Sequence, residues 1–431
     1  MREKKVLILA YYFPPLGMGG VQRVAKFAKY LPLFGWKPYV VTVKEAEYPA
    51  KDYSLLEELP PEAQVIRTGS FDPLRISFIL KGLFNMKRQK KGSPGGSVPE
   101  RWKISSWLFF PDTKVAWIPF ALLRALSLCR KEKIDLVFST SPPPSLHLTG
   151  YLLKLLTGRP WIADFRDPWT GYKLETFPTP FHLFLKERLR RLIMNSADRV
   201  IAANPAIRSD FETRYPRMEK IRLINQGYDE EDFRALEPSV AKTFTIGYLG
   251  TFSPDCDPEP FFSALGEWID QRKIPKNKVK LIHIGLSAGI DTGGLMERHA
   301  LKDVVTRKGY LSHKEALEEM KGVSLLLLVT SEHPSVFPAK IFEYLRLKKP
   351  LLCIVPPGSQ IARFLTKMKA GQVVSPDDKA GISRILHSRF SDFEKGGLGL
   401  ELDEEKLKEF DRKSLTLSLA SLFDEVIPRQ C

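Results

Sequence analysis

Cysteine is sparse in this chain of 431 residues: Cys129, Cys256, Cys353 and Cys431 stand far apart, with no C-x-x-C spacing. That scatter excludes a disulfide framework and a cysteine-built zinc site, and it fits a reducing cytosol. Long apolar runs are also lacking. A membrane-spanning helix needs about 20 residues, whereas the nearest stretch, 115–123, contains Pro119 and ends at Arg124. The apolar residues 6–10 follow a charged start but run at once into Pro14 and Pro15. They are too few for a signal-peptide core and read as a first buried strand. Repeats of roughly 20–50 residues are missing, and 92–97 is the one low-complexity patch. Acidic residues are in deficit, 50 against 66 basic ones, for a formal net charge of +16. No helix-turn-helix, zinc-finger or RNP-type signature accompanies that charge, so a nucleic-acid role has no motif to rest on.

What is present is an ordinary globular composition, 43% hydrophobic and 27% charged, in a chain longer than one core usually supports. Strand-like runs at 5–10, 38–43, 136–139, 161–163, 199–202 and 221–224 alternate with helix-patterned segments, the rhythm of a parallel α/β sheet. After a charged stretch at 229–242 a second series begins, with strand-like runs at 244–249, 279–284, 304–306, 324–329 and 351–355. The pattern predicts two facing Rossmann-like domains with a cleft between them, ligands sitting outside the carboxyl ends of the strands. The expected boundaries are 1–228, a linker at 229–242, 243–400, and a tail at 401–431.

Basic residues are unevenly placed. Arg75, Lys81, Lys87, Arg88, Lys90 and Lys91 surround Ile76, Phe78, Ile79, Leu80, Leu83 and Phe84. Such a stretch suits an anionic lipid surface; a solvated helix with a core-facing stripe fits the same pattern.

A glycine loop interrupts the passage from the first strand to a helix-patterned stretch at 21–33. Gly17, Gly19 and Gly20 miss the G-x-G-x-x-G fingerprint because Gln22 occupies the last position, and no Gly-Lys-Ser/Thr follows. Free backbone N–H groups at such a helix start favour a phosphate or a sugar oxygen; a plain turn is the simpler alternative.

Five segments together resemble glycosyltransferase family 4. They are Pro14-Pro-x-Gly-x-Gly-Gly-x-x-Arg23, Asp198-Arg-Val-Ile-Ala-Ala, Asn225-Gln-Gly-Tyr-Asp229, Gly247-Tyr-Leu-Gly-Thr251, and Pro338-Ala-Lys-Ile-Phe-Glu-Tyr-Leu-Arg-Leu-Lys-Lys-Pro350. The resemblance runs from about residue 4 to about residue 375. It implies the GT-B architecture, an N-terminal acceptor-binding domain, a C-terminal domain holding a nucleotide-sugar donor, retention of configuration and no metal ion. It also implies that the tail forms a helix packing back on the N-terminal domain. By this resemblance Glu343 holds the ribose hydroxyls and Lys340 reaches phosphate. The donor set also takes in Gly19, Gly20, Arg23, Gly250, Thr251, Tyr310 and Ser335.

Glycosyl transfer builds negative charge on a leaving diphosphate, so cations must converge there. Lys340 and Glu343 share a helix face at i and i+3; an exposed ion pair would use the same spacing. Two departures from the family pattern stand out. A second glutamate expected eight positions before Glu343 is Ser335, with His333 nearby, and Thr251-Phe-Ser-Pro-Asp-Cys-Asp-Pro lacks the usual Arg and Lys. Lys340, helix N-termini, or Arg23 and Arg166 are left to neutralise phosphate. In Ala163-Asp-Phe-Arg-Asp-Pro-Trp-Thr-Gly171, residues Asp164, Arg166 and Asp167 stand where many relatives carry His-Asp. With Lys340 they form the catalytic candidate set; a buried Arg–Asp pair holding a loop is the alternative. Trp117 and Trp169 fit either a sugar or lipid platform or the core. His147, His283 and His313 are isolated and receive no role, and Asp255-Cys-Asp257 is only a weak metal motif.

The resulting expectation is a cytoplasmic, membrane-peripheral glycosyltransferase using a nucleotide-sugar donor, a lipid-linked or polysaccharide acceptor and no cofactor. Another GT-B enzyme, such as a nucleotide-sugar epimerase, and a non-catalytic nucleotide-sugar-binding scaffold are the alternatives.

Overall fold

The structure, a computed structural model, describes all residues except 1–2, 18, 46–47, 49, 84–108, 168–178, 217, 235–241, 331–336, 398–401 and 428–431. The chain divides into two compact units, the first running to Gln226 and resuming at Arg412, the second spanning Gly227–Asp411.

The first unit is a parallel sheet of seven strands: β1 (Lys4–Leu9), β2 (Trp36–Val43), β3 (Gln64–Thr68), β4 (Leu136–Ser141), β5 (Trp161–Phe165), β6 (Arg199–Ala202) and β7 (Ile221–Leu223). Their order is β3-β2-β1-β4-β5-β6-β7. The near-continuous apolar runs of β1, β2 and β4 follow from burial on both faces, since helices cover each side of a parallel sheet. One face carries helix α1 (Gly19–Tyr30) and the C-terminal helix Arg412–Val426, with Val24, Phe27, Leu419 and Phe423 in a shared core. The other is covered by helices Ile118–Lys131, Ser145–Thr157 and Pro180–Ser196.

The second unit repeats the plan with β8 (Phe244–Leu249), β9 (Val279–Ile284), β10 (Val305–Gly309), β11 (Leu325–Val329), β12 (Leu351–Ile354) and β13 (Gln372–Val374), ordered β10-β9-β8-β11-β12-β13. Both sheets start in the middle and then wind outward to each side. The reversal lies between β1 and β4 in one and between β8 and β11 in the other, the place where such sheets leave a ligand crevice at the strands' carboxyl ends. Each unit is thus a Rossmann-like α/β layer structure, and the fold class is GT-B.

Several expectations are corrected. Strands β3 and β13 carry no strand signal in the sequence reading: β3 exposes Gln64 and half-exposes Arg67, and β13 is only the three residues Gln372–Val374. Part of the supposed linker is packed: helix Glu231–Arg234 buries Phe233 in the core of the second unit. The tail is split, because Leu407 and Phe410 join that same core whereas Arg412–Val426 joins the first unit. Among the described residues no helix is long and apolar enough to cross a membrane.

Candidate functional site

In the first unit six of the expected residues gather at the carboxyl ends of β1, β4 and β5. Gly19 and Gly20 open α1 and are exposed. Arg23, one turn on, is wholly buried. Its guanidinium donates to Asp164 from Nε (3.2 Å) and Nη2 (2.9 Å), and to the carbonyls of Asn225 (2.7 Å) and Ile224 (2.9 Å). Asp164 also accepts from Thr140 Oγ1 at 2.7 Å. Arg166 donates to the carbonyls of Ser141, Pro142 and Gly20. This is the buried Arg–Asp arrangement that holds loops, so Arg23 and Arg166 are committed to the backbone rather than held out as phosphate-binding cations. Of the cluster, Asp167 is the exposed member.

Trp117 belongs to the core: it is fully buried, donates to Thr68 Oγ1 at 2.7 Å and meets the Tyr11 ring edge-on at 5.5 Å. Trp169, His333 and Ser335 lie outside the described residues, as do Lys87, Arg88, Lys90 and Lys91. His147 is buried beneath the sheet, bonded to Ser139 at 2.8 Å.

The second unit assembles a site around the loop that follows β8. Gly250 has φ of 144°, a conformation that side chains resist, and a Cβ there would stand 2.9 Å from Lys340 Nζ. Gly285 is required by the same loop: a Cβ on it would stand 2.1 Å from the Gly250 carbonyl oxygen. Lys340 begins the helix Lys340–Arg346 and lays its ammonium 4.0 Å from the centre of the Tyr248 ring. Burial lowers its pKa to about 8, with Cys256 and Glu343 pulling the other way. Tyr248 stacks on Phe252 at 4.2 Å, nearly parallel, and His283 packs on Phe252. His283 Nε2 lies 2.9 Å from the Gly250 carbonyl. Burial brings its pKa down to about 4, so the neutral ring donates there and pins the loop. Thr251 is half-buried and its carbonyl accepts from the Tyr248 hydroxyl at 3.3 Å.

Glu343, one turn beyond Lys340, is nearly buried and bonded to His313 at 3.0 Å. Lys340 and Glu343 therefore each have a partner from a different element, which an exposed i,i+3 pair would not. Sequence reasoning missed His313. Its signal was Ser312, three residues before Glu315, a capping box that starts a helix just past β10. Tyr310 follows β10, which is separated from β8 by β9. Asp257 of the Asp255-Cys-Asp257 motif accepts the backbone N–H of Glu259 at 2.9 Å, opening helix Glu259–Gln271.

The model of the family described as Glycosyltransferase Family 4 matches residues 18–232. A curated Pseudomonas aeruginosa protein, "Probable glycosyltransferase WbjE", is 21% identical over 274 residues; the match covers 60% of this chain and 66% of that protein's length. Among solved structures, Anabaena HepE in complex with UDP and glucose superposes with a TM-score of 0.66 at 16% identity, covering 98% of this chain and all of that one. The sucrose-phosphate synthase from Thermosynechococcus elongatus also gives a TM-score of 0.66 at 16% identity, covering 98% and 99% of the two chains. A lipopolysaccharide outer core galactosyltransferase, WaaB, gives 0.57 at 11% identity over 98% and 99%.

Proposed function

The chain belongs to glycosyltransferase family 4, and we propose that it transfers a hexosyl group from a nucleotide-sugar donor to a lipid-linked or glycan acceptor, with retention of configuration and without a metal ion. The observation that carries this reading is the placement of Lys340 against the loop after β8, at the reversal point of the second sheet, with Glu343 one turn along the same helix and held by His313. Departure of a nucleoside diphosphate leaves charge on its phosphate oxygens, and a pre-placed cation in a water-poor site stabilises that charge more than it stabilises the intact donor. Lys340 is that cation. The helix it starts has only seven residues, so the ammonium rather than the helix dipole supplies the charge. Glu343 accepts the ribose hydroxyls, and the solved complex of HepE with UDP and glucose favours UDP-sugars as the first donors to try. In the first unit exposed Asp167 receives sugar hydroxyls, while Arg23, Asp164 and Arg166 position its loop.

The acceptor is read as membrane-borne, with the protein on the cytoplasmic face. Helices Ile118–Lys131, Ser145–Thr157 and Pro180–Ser196 bury Ala125, Leu153 and Ile193 in one core. Their outer sides expose Leu123, Leu155, Leu156, Phe181 and Phe184, interspersed with exposed Arg124, Arg188 and Arg191. Large exposed apolar groups among basic ones suit an anionic lipid surface. Flotation with anionic vesicles tests this part: binding that fades with salt supports it, and no binding at low salt removes it. Turnover of a nucleotide sugar separates the enzyme from a non-catalytic scaffold.

A further inference from the structure

We propose that His313 is a positioning residue that orients Glu343 toward the ribose of the nucleotide, an inference that rests on the ribose role of Glu343 given above. His313 is the first residue of helix His313–Lys321. The preceding Ser312 and the following Glu315 cap each other reciprocally: the Ser312 side chain accepts from the Glu315 N–H, and the Glu315 carboxylate accepts from the Ser312 N–H at 2.9 Å. The backbone under His313 is thus fixed by its neighbours.

The His313 ring enters between two carboxylates from different elements. Nε2 lies 3.0 Å from Glu343 Oε1, and Nδ1 lies 3.6 Å from Asp232 Oδ2 on the helix Glu231–Arg234. The His313, Glu343 and Asp232 side chains are only 9%, 9% and 13% exposed. An ionised carboxylate only accepts, so Nε2 carries the proton at the short contact, and Nδ1 faces Asp232. A carboxylate has about four acceptor directions. The His313 bond uses one of them and fixes the orientation of the carboxylate. Groups of this kind act by holding a binding residue in its productive geometry before the ligand arrives.

The test is titration calorimetry on the full chain with UDP and GDP, each beside its 2′,3′-dideoxy counterpart; the nucleotide that wild type binds more tightly is the probe. His313→Phe, which keeps a ring without its donor, is expected to weaken that nucleotide about tenfold while the dideoxy form stays within about twofold. His313→Gln, whose amide can donate to the same carboxylate, is expected to recover most of the loss. Melting temperatures report the fold, and His313→Leu replaces His313→Phe should the latter not fold. Equal weakening of both nucleotide forms makes His313 a structural residue and overturns the proposal, and so does unchanged affinity. If wild type does not distinguish the nucleotide from its dideoxy form, binds neither UDP nor GDP, or is unaffected by Glu343→Gln, the ribose reading itself fails and the proposal falls with it.

Discussion

The Lys340 ammonium stands 4.0 Å from the centre of the Tyr248 ring, at a spot that a Cβ on Gly250 would approach to 2.9 Å. Two consequences follow from that packing. The cation is partly desolvated before any ligand arrives, which is why its pKa has fallen to about 8. A diphosphate restores the charge, so the bound state holds its proton to higher pH than the free state. Nucleoside diphosphate affinity should therefore be level below pH 8 and fall as pH rises through about 8 and beyond. Lys340→Met should bind more weakly and lose that fall; calorimetry across pH 7 to about 10 reads both. An unchanged profile in Lys340→Met assigns the titration to another group.

Gly250→Ala places a methyl where φ is 144° and crowds Lys340. The variant should fold with reduced stability, about 1 kcal/mol or more, and bind nucleotide less tightly than that loss of stability explains. Equal affinity in a folded variant would mean that Lys340 has no part in binding.

Glu343→Gln removes the negative charge but keeps the shape of the side chain. Nucleotide binding should weaken by roughly 1.5–3 kcal/mol, the loss of a charge-assisted hydrogen bond. The melting temperature should stay near that of wild type.

Asp164 and Asp167 separate structure from chemistry three residues apart. Asp164→Ala leaves Arg23 buried and unpaired, which costs about 3–5 kcal/mol, and chemical denaturation should show it. Asp167→Asn, at an exposed position, should change stability by no more than about 0.5 kcal/mol while lowering transfer. A stable Asp164→Ala protein would contradict the structural role given to the Arg23 pair.

Metal independence is checked with EDTA. Transfer should persist in its presence; loss restored by Mn²⁺ would return Asp255 and Asp257 to consideration as ligands.

The sequence made the strands legible wherever burial on both faces demanded an unbroken apolar run, as in Leu-Leu-Leu-Leu-Val of β11. Strands β3 and β13 escaped because polar Gln64 and Arg67 interrupt the one and the other is only the three residues Gln372–Val374, so neither forms an unbroken apolar run. Glycine positions were legible as turns, but the reason for Gly250, the approach of a lysine 90 residues later, exists only after folding. Arg23 was legible as a basic residue beside the loop. Its partner Asp164 is 141 residues away, so no local pattern could show that the charge was already spent. His313 was hidden for the same reason: β10 and β11 deliver it and Glu343 to the same end of the second sheet from 30 residues apart.

The central claim is that the Lys340 and Glu343 site turns over a nucleotide sugar. Nucleoside diphosphate release, followed with a panel of UDP-, GDP- and ADP-sugars in the presence of membrane lipid extract, tests it most directly. Release from one donor class, lowered on the order of a hundredfold in Lys340→Met, is the expected result. Release from no donor in the panel, or equal release by wild type and Lys340→Met, would contradict it.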